Sequence, residues 1–298
     1  MNKSNMTIDW EDFSQLYAKY HYNVITKPDD SISRQTDIIL ELLDSKNVKA
    51  TFFILGITAK YRKYLVLKIK NLGHEIACHG HFHDSLDNIT KEEIKEDLIQ
   101  STKLIEDITG EKLFGYRAPF FSLTEDRLYV LEILAELGYV YDSSIMPSKM
   151  VRNGIAGFDK KISKYTLKNS LQIIELPIKP VSVFSQDFVI AGGGYMRFTP
   201  MKILNKIYKI NIAKGNSDLM LYMHPYEFDS HNLDVSNNYP PEIYRKSLKV
   251  NLINFKWNIN RKSLIPKLSN LFDLLKFETC AETCSRLNHS LFTKVLNY

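Results

Sequence analysis

Short apolar runs along this chain alternate with stretches whose apolar residues recur every three or four positions, the pattern of strands separated by amphipathic helices. Thr7-Ile8-Asp9 ends a first strand, and residues 50–55 form a buried-strand run closed by Gly56. Further strands are predicted at 74–78, 113–116, 139–141, 171–176 and 219–223. Between them, Ile38, Ile39, Leu42 and Leu43 place a helix over 32–43, and Leu65, Val66, Ile69 and Leu72 mark one that stops at Gly73. Thr90-Lys91-Glu92-Glu93 reads as a capping box opening a helix that ends at Gly110. A helix over 128–137 stops at Gly138, Thr199-Pro200 caps a helix running to Gly215, and residues 261–275 read as a last amphipathic helix. The tail from Cys280 carries no clear pattern.

Seven strands separated mainly by helices predict parallel pairing and an α/β barrel. In such folds the reacting groups follow the C-terminal ends of strands, and Asp9, His79, Arg117, Asp142 and His224 all stand there. Segments 143–170, 179–198 and 225–260 break the rhythm and are expected to form hairpins or lids. The expected organisation is one catalytic domain over 1–298 with those three inserted loops and a helical C-terminal extension, 261–298.

Composition narrows the partners. With 44% hydrophobic residues among 298, the chain can bury a sizeable core. Its charge of +5, from 39 basic and 34 acidic residues, is mild and scattered; that argues against nucleic acid and leaves a negatively charged or lipid-linked substrate open. Three cysteines, Cys78, Cys280 and Cys284, are too few for a disulfide framework, and no second pair accompanies Cys280 and Cys284 to complete a structural zinc site. No apolar stretch approaches the roughly 18 residues of a membrane span, and residues 1–7 are polar. The expected compartment is therefore the cytoplasm, at the inner membrane surface if the substrate is lipid-linked.

The candidate chemistry centres on His79-Gly80-His81-Phe82-His83, whose outer histidines, four apart, can close on one ion. Two neutral imidazoles and one carboxylate leave a coordination position open for water, the catalytic arrangement of zinc or a similar divalent metal. Such an ion lowers the pKa of water and polarises a carbonyl. Ile8-Asp9-Trp10-Glu11-Asp12 offers the remaining carboxylates: Asp9 as general base, and Glu11 or Asp12 as metal ligand. Glu11 is favoured, because two residues along an extended backbone return a side chain to the face of Asp9. Arg117 is expected to hold Asp9 ionised, Phe120 to offer a backbone N–H to a developing oxyanion, and His224 to act as general acid with Asp142 raising its pKa. His81 is expected to point away from the metal, at the surface or behind the ligands, and Cys78 to be a buried strand residue. Gly192-Gly193-Gly194-Tyr195 lacks the Lys-Ser/Thr of a phosphate cradle, and no helix is expected to open at once. It reads as a close backbone approach to substrate or to a neighbouring loop.

Taken in order, Thr7-Ile8-Asp9-Trp10-Glu11-Asp12, His79 to His83, Arg117-Ala118-Pro119-Phe120, Tyr141-Asp142-Ser143-Ser144 and Leu221-Tyr222-Met223-His224 resemble the five motifs of the polysaccharide deacetylases of NodB-homology type, carbohydrate esterase family four. The likeness covers roughly residues 6–228. It implies a distorted seven-stranded (β/α) barrel, a divalent metal that is usually zinc, and removal of N-acetyl groups from an N-acetylhexosamine-containing glycan. Two departures matter: the family's adjacent Asp-Asp is replaced by Asp9-Trp10-Glu11-Asp12, and the tryptophan often found downstream of the fourth motif's Asp is missing. The Tyr-Asp-Ser-Ser-Ile wording, the glycine run and His-Pro-Tyr-Glu are similar to a subgroup from bacterial exopolysaccharide biosynthesis loci, which implies a surface glycan or its precursor. Two alternatives stand beside this reading: the same machinery acting on a small cyclic imide or ureide, and a glycan-binding barrel without turnover.

Overall fold

The computed structural model describes residues 3–149, 153–183, 186–188, 190–215, 218–233, 248–296 and 298. Alternation in β1 (Ser4–Trp10) sets the architecture. Met6, Ile8 and Trp10 join an outer core shared with the helices, whereas Asn5, Thr7 and Asp9 face the other way. The indole N–H of Trp10 donates to Thr36 on α2 (Ser31–Ser45), just after α1 (Phe13–Tyr22). Then follow β2 (Thr51–Ile54), α3 (Gly56–Tyr61), α4 (Lys63–Asn71), β3 (Glu75–Cys78), α5 (Lys91–Thr109), β4 (Gly115–Tyr116), α6 (Val130–Glu136) and β5 (Tyr141–Asp142). β6 (Ser163–Thr166) and β7 (Gln172–Glu175) form an antiparallel hairpin, as do β8 (Val181–Val183) and β9 (Gln186–Phe188). The chain continues through α7 (Gly193–Phe198), α8 (Met201–Ala213), β10 (Met220–Met223), α9 (Pro225–Phe228), α10 (Leu248–Asn258), α11 (Leu264–Leu274), β11 (Phe277–Glu278), α12 (Cys280–Leu287) and β12 (Thr293–Val295).

The seven strands anticipated from periodicity are the parallel run β10-β1-β2-β3-β4-β5-β7, flanked by helices, the arrangement of a distorted (β/α) barrel. Its inner face carries Phe53, Ala77, Tyr141, Ile174 and Met220. Each large apolar side chain fully buried contributes roughly 1.5–3 kcal/mol, so the two cores, not a bound ion, hold this fold. The capping box at Thr90 is formed, with Glu93 N–H donating to the Thr90 hydroxyl and the Glu93 carboxylate accepting from the Thr90 N–H.

Several local expectations are corrected. The helix over 201–213 has Pro200, not the Thr199 side chain, at its cap, and α7 opens within the glycine run at Gly193. The predicted last helix is a 3₁₀ turn, Arg261–Ser263, followed by α11. The tail is structural rather than a helical extension: β11 pairs with β1, β12 pairs with β6, and α12 turns Cys280 and Cys284 into the inner core. The N-terminus of α12 rests on the sheet, where Cys280 N–H donates to Thr51 and Ala281 N–H to the Glu75 carboxylate. Of the three expected loop segments, residues 150–152, 184–185, 189 and 234–247 lie outside the described residues.

Candidate metal and catalytic site

The C-terminal ends of β10, β1, β3 and β4 deliver the polar groups to one place, because neighbouring parallel strands end side by side. Past Trp10 the chain turns, with Glu11 N–H donating to the Asp9 carbonyl at 3.0 Å. Glu11 Oε2 then lies 2.6 Å from His83 Nε2 and 3.9 Å from His79 Nε2, and these three residues present ligand atoms within 4.8 Å of one another. Asp12 goes elsewhere: it caps α1 by accepting from Gln15 N–H at 2.9 Å, and burial pushes its pKa up to about 7. Of the two candidate carboxylates, the structure brings only Glu11 to the imidazoles.

The donor set fits a divalent cation. His79 Nδ1 stands 2.8 Å from the Arg117 carbonyl, which places the proton on Nδ1 and leaves the Nε2 lone pair toward Glu11. Burial holds the His79 pKa down to about 4, so the ring is neutral, as a ligand must be. Glu11 Oε2 is buried against the His83 and His79 imidazole nitrogens, with no backbone N–H or hydroxyl donating to it among the described residues. A buried carboxylate facing two neutral imidazoles is short of positive charge, which a cation would supply. His81 is not part of the group and is not at the surface. Its ring fills the space over Gly56, where a Cβ would come to 2.3 Å.

Arg117 is fully buried, its guanidinium over the Phe53 ring at 4.1 Å. It donates to Asp9 Oδ1 at 2.6 Å, to Thr7 at 2.8 Å, and to the Ser143 carbonyl and hydroxyl at 2.9 and 3.0 Å. Burial alone would raise the Asp9 pKa, but the Arg117 charge, the neighbouring His79 and His224 imidazoles and the Arg117 hydrogen bond together hold the carboxyl below its ordinary value.

The partner of His224 is Glu227, not Asp142. Glu227 Oε2 lies 3.2 Å from His224 Nδ1 and accepts from its backbone N–H at 3.1 Å, while His224 Nε2 is 3.3 Å from Glu11 Oε1. Burial would lower the His224 pKa, yet the Glu227 hydrogen bond and the Glu11, Glu227 and Asp9 charges raise it to about 9. Gly193 permits this packing, since a Cβ there would meet the Glu227 carboxylate at 2.2 Å. The glycine run therefore serves a neighbouring loop.

Asp142 instead holds Ser144, accepting from its hydroxyl at 2.6 Å and its N–H at 2.9 Å, and Ser144 in turn accepts from Ala118 N–H at 2.7 Å. The fourth motif thus clamps the Arg117 turn. Ser144→Ala leaves a buried N–H and a buried carboxylate short of a partner. It is expected to destabilise the protein by roughly 1–3 kcal/mol; an unchanged denaturant midpoint would refute the clamp. Phe120 stands at the cavity wall with φ 56°, its ring 4.4 Å from that of His83.

Sequence reasoning assigned no role to Glu227, Ser143 or Ser144, nor to the wall residues Phe13, Tyr226 and Trp257. Glu227 left a signal, standing three residues after His224 at capping-box spacing. Phe13 and Trp257 left none, because α1 and α10 reach the cavity only by packing. That cavity has about 460 Å³ beside Asp9, Glu11 and the three histidines, within the roughly 300–1,000 Å³ of ligand pockets.

Comparison with known proteins bears on the family pattern and the fold. Residues 22–141 match the family described as polysaccharide deacetylase, and residues 143–285 match a domain of unknown function, DUF3473. The peptidoglycan deacetylase of Helicobacter pylori is 30% identical over 108 residues, 36% of this chain and 36% of that protein, so the match spans about a third of either. The structure of a polysaccharide deacetylase from Mycobacterium smegmatis, so described only provisionally, superposes with TM-score 0.62 at 18% identity, covering 100% of this chain and 95% of that one. The PuuE allantoinase structure gives 0.57 at 12% identity over 97% and 90%; these two likenesses speak for the fold alone. Residues 22–141 thus carry the polysaccharide deacetylase family's pattern, over about two fifths of the chain. Asp9 and Glu11 precede the first matched segment, and His224 and Glu227 fall in the second.

Proposed function

We propose that the protein is a metal-dependent deacetylase that hydrolyses the N-acetyl group of an N-acetylhexosamine unit in a glycan or glycan precursor. The observation that supports this reading is that Asp9, ion-paired to Arg117, and His224, hydrogen-bonded to Glu227, line one cavity with Glu11, His79 and His83. Those three residues would hold the ion, most simply zinc, which when bound supplies Lewis acidity to the acetamide carbonyl and to water. Asp9 takes the proton from the attacking water, with Arg117 fixing the carboxylate's orientation. The Phe120 backbone N–H would favour negative charge on the former carbonyl oxygen. His224, charged through Glu227, gives its proton to the departing amine, and acetate and the free amino sugar leave. An amine is a poor leaving group, so a positioned acid favours amide over ester cleavage. The surface-glycan setting is part of the proposal and rests on the wording of the fourth and fifth motifs.

Purified protein is expected to contain a divalent ion and to release acetate from chitooligosaccharide. Chelation should stop release without loss of secondary structure, and His79→Ala should lower metal content. Ring opening of a cyclic ureide without acetate release would favour the imide alternative; binding without turnover would favour the non-catalytic one.

A further inference from the structure

The outer wall of the cavity comes from a part of the chain the mechanism leaves idle. Trp257, near the end of α10, lines it and is only part-buried. Its indole is fixed by ring contacts to Phe13 at 5.4 Å and Tyr226 at 5.5 Å between centroids, at interplanar angles of 68° and 84°. The backbone is pinned as well. Buried Arg197 donates to the Trp257 carbonyl at 2.9 Å, and buried Arg261 donates to the Tyr226 carbonyl at 2.8 Å. Two buried guanidinium groups thus hold one stretch of wall against the His224 loop, and preorganisation of that kind is what a recognition surface needs. An immobilised indole presents a broad, flat apolar face with little rotamer entropy left to lose, and the C–H face of a pyranose is flat and apolar too. The cavity, about 460 Å³, also exceeds what one acetamide group requires.

We propose that Trp257 is the platform of a neighbouring-sugar subsite, stacking under the pyranose that adjoins the acetylated unit, so that the protein takes an oligosaccharide in preference to a free monosaccharide. This rests on the deacetylase reading and gives the segment of unknown function a role, that of building the sugar-binding wall of the site.

The protein's tryptophan content makes the test direct. Its two tryptophans are Trp10 and Trp257, and Trp10 is fully buried in the outer core. A change in emission on adding sugar therefore reports Trp257. In an Asp9→Asn background, which prevents turnover, N-acetylchitotetraose should give a saturable emission change. The Asp9→Asn/Trp257→Phe protein should lose that change and bind the tetramer roughly tenfold more weakly by calorimetry, the loss of one contact of about 1.4 kcal/mol. In the active protein, Trp257→Phe should raise KM for the tetramer by more than it lowers kcat. A fall in kcat with KM kept would make Trp257 a support for Tyr226 and His224 and overturn the subsite; unaltered emission and affinity would overturn it too. Acetate release by the parent with no emission response removes the subsite alone. No acetate release and no binding removes the deacetylase reading with it.

Discussion

Asp9→Asn is expected to cut acetate release by roughly 10²–10⁴-fold while metal content and secondary structure survive, because an amide of the same shape accepts the Arg117 hydrogen bond but cannot take a proton. The variant should also be less stable. Losing one partner of a buried ion pair costs about 3–5 kcal/mol when the other charge is left bare, and the retained hydrogen bond makes that an upper figure. The pH dependence has a definite sign. Asp9 titrates below its ordinary value of 3.8, so its contribution to stability is present above that pH and is lost as pH falls through the folded value. Denaturant unfolding should accordingly show a shallower acid limb in the variant than in the parent. Turnover close to that of the parent would transfer the base to another carboxylate, with Glu11 the nearest to the imidazoles.

His224→Ala is expected to lower kcat by roughly 10²–10⁴-fold without changing metal content, since its work falls at the departure of the amine. The pH profile separates this role from a structural one. Glu227, hydrogen-bonded to His224 Nδ1, raises the His224 pKa above its ordinary value and favours the acid form at neutrality, so kcat/KM of the parent should fall on the alkaline side as the proton is lost. Glu227→Gln removes a hydrogen-bonded carboxylate that raises this pKa, and the alkaline limb should move to lower pH. His224→Ala should lose the limb. A variant with parental kcat would leave His224 as the residue that starts α9 and nothing more.

The strands and most helices were legible because burial imposes a period on the sequence: two where a strand has two differently occupied faces, near four where a helix lies on a sheet. The 13–22 helix was missed because tyrosines supply half of its apolar residues and sit at a surface as readily as in a core, and Phe13, Tyr17 and Ala18 are buried only once α1 meets the site. The tail was missed for a related reason. Two-residue and three-residue strands such as β11 and β12 carry too few positions to show alternation, and their edges are fixed by partners far away in sequence.

For the site, residue type and place at a strand end brought forward Asp9, Glu11 or Asp12, His79, His83, Arg117 and His224 as candidates, because the available chemistry and the parallel topology are both written locally. What tertiary structure decided was partnership. Glu11 rather than Asp12 faces the imidazoles because the turn after Trp10 sends the first carboxylate inward and the helix beginning at Phe13 takes the second as its cap. Glu227 rather than Asp142 meets His224, and Asp142 serves the Arg117 turn instead, because a hydrogen bond acts over about 3 Å. Distances on that scale are set by how loops from separate strands pack, and Trp257 comes to the cavity by the same packing.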